Sequence, residues 1–153
     1  MLNYLNESYT YYYIKTFLIE NGWHIIAGEP AGGSDDIPRV EIRDPNHKTK
    51  GSKGSYKIDL ISIRGKVMLL TEVKVKYSES DIIKLTLLTS TKTSLLRNAL
   101  LERLSIDTKD YRIVKSVALN DYKSIQIPKD FVCFCVLSED NISIINRELL
   151  SEN

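Results

Sequence analysis

The stretch YKIDLISIRGKVMLLTEVKVK, residues 56–76, decides how this chain folds. Residues 56–64 alternate, with Tyr56, Ile58 and Leu60 on one face and Asp59, Ile61 and Ile63 on the other, while residues 67–76 are rich in strand-forming Val and Thr. Between them, Gly65-Lys66 suits a two-residue connection, because glycine accepts the positive φ that opens a type II′ turn. The two runs therefore read as a β-hairpin. Facing residues then have numbers summing to 131, which sets Asp59 directly opposite Glu72. Opposed Cβ atoms lie about 5 Å apart, where two carboxylates repel. Asp59 shares its face with Ile61 and Ile63, and Glu72 shares its face with Met68 and Leu70. A carboxylate on an apolar face is costly unless it is paired, hydrogen-bonded or bound to a metal.

Two hard oxygen donors converging at that distance suit Mg²⁺, which keeps several waters and completes its shell with phosphate. Lys74 lies two residues beyond Glu72 and shares its face. An ammonium there can orient or deprotonate an attacking water, or neutralise charge on phosphoryl oxygens. Phosphodiester hydrolysis is the reaction that this set serves.

Outward from the hairpin, residues 7–21 read as a helix, with Tyr11, Ile14 and Leu18 on one stripe and Gly22 as its stop. Glu7 lies on that stripe, although an acid in the first turn is also favoured by the helix dipole. Residues 23–27 and 40–43 are short strand candidates, and residues 28–38 form a loop in which Asp35 and Asp36 are ordinary turn formers. Tyr9, Tyr11, Tyr12 and Tyr13 fit core and rim positions of the first helix. After the hairpin, residues 78–104 are helical, as one long helix or two shorter ones, since residues 89–94 are weak helix formers. Residues 112–119 and 131–137 read as strands, the second apolar on both faces and so central. Residues 141–150 fit either an edge strand or a closing helix. The order implies one α/β domain over residues 1–153, with a central mixed β-sheet flanked by helices.

Asp59, followed after twelve residues by Glu72-Val73-Lys74, resembles the core motif of the PD-(D/E)XK nuclease superfamily, the restriction-endonuclease-like fold. The resemblance covers roughly residues 7–137. It implies that Asp59 and Glu72 bind Mg²⁺, which Mn²⁺ can replace, with the Val73 carbonyl as a third ligand. It also implies that Lys74 is the catalytic lysine and that Glu7 joins the metal site from the first helix. Ile58 stands where the family name has proline, and the polar residue that some branches carry on the following helix has no clear match. Residues 78–85 bear a faint similarity to the XisH-like branch, and no subfamily is assigned. The function so implied is a Mg²⁺-dependent endonuclease hydrolysing DNA, with RNA left open. The alternative is a nuclease-fold accessory protein that binds DNA or a protein partner without cutting, in recombination or element excision. One site per chain and two strands per duplex imply a homodimer.

Composition agrees with a soluble domain. Of 153 residues, 42% are hydrophobic and 27% charged. No apolar run approaches the ~18 residues of a membrane span, so the expected location is the cytoplasm. The two cysteines, Cys133 and Cys135, share a strand face and read as reduced core thiols. With His24 and His47 isolated, no zinc site of ordinary spacing is available. The net charge of +1 conceals a contrast: residues 39–76 carry ten basic and four acidic side chains, leaving −5 for the rest. Within that region, Lys48, Lys50, Lys53 and Lys57 stand among Gly and Ser. They read equally as a solvated loop or as a basic arm following a phosphate backbone.

Overall fold

The computed structural model describes residues 6–30, 36–46, 55–121 and 127–152. Its first helix, α1 (Glu7–Glu20), starts where the Asn6 side chain accepts a hydrogen bond from the Tyr9 amide at 2.9 Å. It stops at Asn21 and Gly22, whose φ of +87° ends the helical path. Tyr11, Ile14 and Leu18 are buried on one side, as the stripe predicts.

Four strands follow: β1 (His24–Gly28), β2 (Glu41–Arg43), β3 (Ser55–Lys57) and β4 (Leu60–Arg64), with β4 turning into β5 (Val67–Lys76). Gly65 has a φ of +59° and Lys66 has no positive φ, the combination a type II′ turn needs. The pairs Leu60–Thr71 through Arg64–Val67 reproduce the expected register.

One expectation is corrected. Residues 56–64 are not a single strand: β3 pairs with β2 in a separate two-stranded sheet, and the ladder with β5 begins only at Leu60. The chain bends at Asp59, which therefore lies outside the ladder and is not paired with Glu72. Instead, Asp59 Oδ2 accepts the Val73 amide proton at 2.8 Å, which relieves the repulsion of an opposed acid pair.

The helical region after β5 resolves into two helices, α2 (Glu79–Leu88) and α3 (Thr93–Leu104). The break has a local cause. Thr89 and Ser90 hydroxyls donate back to the Leu85 and Thr86 carbonyls, at 2.8 and 2.6 Å, so side chains compete with the backbone ladder. Then come β6 (Arg112–Asp121), β7 (Phe131–Ser138), β8 (Asn141–Ile145) and a short 3₁₀ turn at Arg147–Leu150. The ambiguous C-terminal stretch is thus an edge strand followed by a helical turn. Asn146 joins the two in a left-handed conformation, its amide donating to the Phe131 carbonyl at 2.8 Å.

The main sheet runs β1-β4-β5-β6-β7-β8, with β5-β6 and β6-β7 parallel and the other pairs antiparallel. This is the expected α/β architecture, a mixed central sheet flanked by helices. On one face α1 packs Tyr11, Ile14 and Leu18 over Leu60, Leu69, Val73 and Phe134. On the other, Leu85, Leu88, Leu96 and Leu100 of α2 and α3 cover Ile61, Met68, Leu70, Val117 and Cys133. Burying these side chains from both layers is the main stabilising term. β7 is interior and buried over its first six residues, and Cys133 and Cys135 are free thiols within it. No helix among the described residues is long and apolar enough to cross a membrane.

Candidate active site

The site forms at the break between β3 and β4, where the C-terminal half of β5 continues past the end of its antiparallel partner. Glu72 is buried in this strand. Its Oε2 accepts the Asp59 amide proton at 3.3 Å, while Asp59 Oδ2 accepts from Val73. The two acids are therefore locked by reciprocal contacts to each other's strand. In a β-strand the N–H and C=O of one residue point to the same edge, so the Val73 carbonyl also faces the Asp59 side. The Asp59 backbone is held from behind: its carbonyl accepts the Glu29 amide at 2.8 Å, and its neighbour Leu60 pairs with Gly28.

Gly28 is small for a reason. A Cβ there would lie 2.6 Å from the Tyr11 hydroxyl and 3.3 Å from the Asp59 carbonyl oxygen. The buried tyrosine of α1 and the backbone of Asp59 thus both approach a position that admits no side chain.

The side chains around the pair come from three elements. Lys74, half-exposed on β5, points its Nζ to within 3.9 Å of Glu7 Oε1 on α1. Two further residues, both on α2, were not singled out by the sequence reading. Lys84 forms an ion pair with Glu72 and donates to the Lys57 carbonyl at 2.8 Å, bridging β5 and the end of β3. Asp81 is 7% exposed, and its Oδ2 has no hydrogen-bond partner among the described residues. A signal for both was present: Asp81 lies on the apolar stripe with Leu85 and Leu88, and Lys84 is one turn beyond it.

Electrostatics follows from burial. Desolvation pushes the Asp59 carboxyl above the ordinary carboxylate range, against the opposing Val73 hydrogen bond and the Lys84 and Lys74 ammoniums. Asp81 is raised chiefly by burial, with Lys74 opposing and Asp59 and Glu7 reinforcing the shift. Burial likewise lowers Lys84, while Asp59 pulls it up. Among the described residues, the centre gathers the carboxylates of Glu7, Asp59, Glu72 and Asp81 around the ammoniums of Lys74 and Lys84. That leaves a formal excess of two negative charges.

The carboxylate oxygens of Asp59 and Glu72 are hard donors of the kind a divalent cation takes. Among the described residues, Asp81 Oδ2 is a buried oxygen without a hydrogen-bond partner, and Glu72 Oε1 has no partner but the Lys84 ammonium. Among the described residues, no group of three or more His, Cys, Asp or Glu stands where it could hold a metal ion by itself. A cation here would rest on Asp59, Glu72 and the Val73 carbonyl, with waters completing its shell.

Of the lysines expected to follow a phosphate backbone, Lys48, Lys50 and Lys53 lie outside the described residues. Lys57 is exposed on β3, 3.9 Å from Glu29. Asp36 is exposed, and Asp35 lies outside the described residues, as does His47.

Comparison with known proteins adds little to this geometry. No family model and no curated protein matches the chain. Among solved structures, it is similar to an XisH family protein from Nostoc punctiforme PCC 73102, at 19% identity and a TM-score of 0.39, over 90% of this chain and 98% of that one.

Proposed function

We propose that this protein is a Mg²⁺-dependent endonuclease that hydrolyses DNA phosphodiester bonds, with a restriction-endonuclease-like arrangement of its site. The observation that carries the reading is the interlocked pair Asp59 and Glu72 with Lys74 beside it. A strand is interrupted where it would otherwise be continuous, and the interruption presents two acids and a main-chain carbonyl on one side.

Asp59, Glu72 and the Val73 carbonyl would hold the cation, which when bound supplies an acidified water and charge neutralisation at the phosphate. Lys74 orients the attacking water or balances charge developing on the phosphoryl oxygens. Glu7 holds the Lys74 ammonium toward the centre. Asp59 and Glu72 keep their geometry through the Val73 and Asp59 amides, so little reorganisation is needed when substrate arrives. A cleft of about 250 Å³ next to the Asp59 corner is lined by Arg39, Lys57 and Arg103 with Glu29 and Glu41, and its cations suit a phosphate backbone. Cleaving both strands of a duplex requires a second copy, so a homodimer accompanies this reading.

The test is incubation of the protein with supercoiled plasmid and Mg²⁺ or Mn²⁺, beside Glu72→Ala and Lys74→Ala. Nicked or linear product from the wild type alone supports the proposal. Equal product from all three, or none with any metal, refutes it.

A second reading is favoured by one observation: Glu72 already carries a counter-ion in Lys84. A nuclease-fold accessory protein that binds DNA or a partner without cutting needs no open metal position. It predicts DNA retention in a gel-shift assay that survives Lys74→Ala.

A further inference from the structure

The Lys84 ammonium is paired with one of the two carboxylates that would hold the proposed cation. It is ion-paired with Glu72 Oε1, an oxygen with no other partner among the described residues, and it lies in the field of Asp59. Its side chain is only 24% exposed. Lys74, by contrast, is 43% exposed and is paired with Glu7. Of the two lysines, the one on α2 sits on the carboxylate pair.

We propose that Lys84 is a resident counter-cation of this centre, which neutralises Glu72 in the metal-free protein and must swing aside, still charged, when a divalent ion binds. This rests on the metal-dependent reading above and adds a competitor to it.

Three features carry the inference. Glu72 is 1% exposed, and an unpaired buried carboxylate would be severely destabilising, so a protein that folds before metal arrives needs a counter-charge there. Lys84 also donates to the Lys57 carbonyl at 2.8 Å, so it has a main-chain partner to retain after leaving Glu72. Finally, a lysine is a flexible point charge with four methylenes, which can move within its own rotamers while α2 stays packed through Leu85 and Leu88. The consequence is competitive: every divalent ion bound at Asp59 and Glu72 first breaks the Glu72–Lys84 pair, which lowers affinity and keeps the site closed to weak ligands.

The experiment is isothermal titration of Mn²⁺ into the full chain, stripped with EDTA and exchanged, for wild type, Lys84→Met, Lys84→Arg and Asp59→Asn. Lys84→Met is expected to bind Mn²⁺ at least about tenfold more tightly than wild type, within the ordinary range of a coupling between two ligands of one site. Lys84→Arg keeps the charge and is expected to bind no tighter than wild type. Mn²⁺ should also raise the melting temperature of Lys84→Met more than that of wild type. Should Lys84→Met fail to fold, Lys84→Gln carries the same expectation. If wild type and Lys84→Met bind equally and Asp59→Asn abolishes binding, the centre is a metal site and Lys84 is a bystander, which overturns this inference alone. If no variant binds Mn²⁺, the metal-dependent reading falls and takes the inference with it.

Discussion

Replacing Asp59 by asparagine and by alanine separates the two things this residue does. Its carboxylate accepts the Val73 amide proton at 2.8 Å, and burial holds its pKa above the ordinary value. A raised carboxyl pKa means that the folded state binds the proton more tightly than the unfolded state. Stability is therefore greatest below the unfolded value of 3.8 and is lost as pH rises through the folded value. At neutral pH the charged Asp59 is a net cost to folding. An asparagine at this position keeps an oxygen for the Val73 amide and removes the charge, so Asp59→Asn should stabilise the metal-free protein by about 1 kcal/mol. For a chain of this size that is a rise in Tm of roughly 2–4 °C. Asp59→Ala also removes the charge but strands the Val73 N–H, at a cost of about 1–3 kcal/mol. It should melt below Asp59→Asn and at or below the wild type. Thermal melts in EDTA at pH 7.5 and pH 5 measure all three proteins, and the wild type should gain on Asp59→Asn as the pH falls. Asp59→Asn melting below the wild type at pH 7.5, or together with Asp59→Ala, would refute the reasoning. In the plasmid assay, both variants should be inactive.

Three further outcomes are expected. Asp81→Asn removes a buried charge whose Oδ2 has no partner among the described residues, so it should raise the metal-free Tm by a few degrees and flatten its dependence on pH above the ordinary carboxylate value of 3.8, as differential scanning calorimetry would show. Glu72→Gln leaves Lys84 without its counter-ion; because that lysine is partly exposed, the loss should be about 1–3 kcal/mol by chemical denaturation, opposite in sign to Asp59→Asn. Gly28→Ala should cost about 1–3 kcal/mol and reduce cleavage, since the new Cβ meets Tyr11 and the Asp59 carbonyl, and adding Tyr11→Phe should recover part of the stability in a double-mutant cycle.

Much of this molecule was legible from local pattern. Alternation over residues 56–76 and the glycine at position 65 set the hairpin register, because a shift of one residue would turn Ile61, Met68 and Leu70 out of the core. The same arithmetic brought Asp59 and Glu72 to adjacent positions. It missed the interruption at Asp59, since a lone bend inside an alternating run leaves no trace in period-two patterning. It also missed Asp81 and Lys84, whose neighbours Glu72 and Asp59 are distant in the chain. The split between α2 and α3 was foreshadowed by Thr89 and Ser90, but the hydroxyl bonds that end α2 are visible only in three dimensions.

The sequence by itself determined the layers, the order of elements and the pairing of two acids with a lysine two residues on, because these follow from side-chain period and turn chemistry. Only the tertiary structure decided how those charges are balanced. Packing α2 against β5 sets Lys84 on Glu72 and buries Asp81 in the same centre, and folding α1 over the other face brings Glu7 to Lys74. Charge balance at a buried site depends on which helices close over it, and residue spacing along the chain does not encode that.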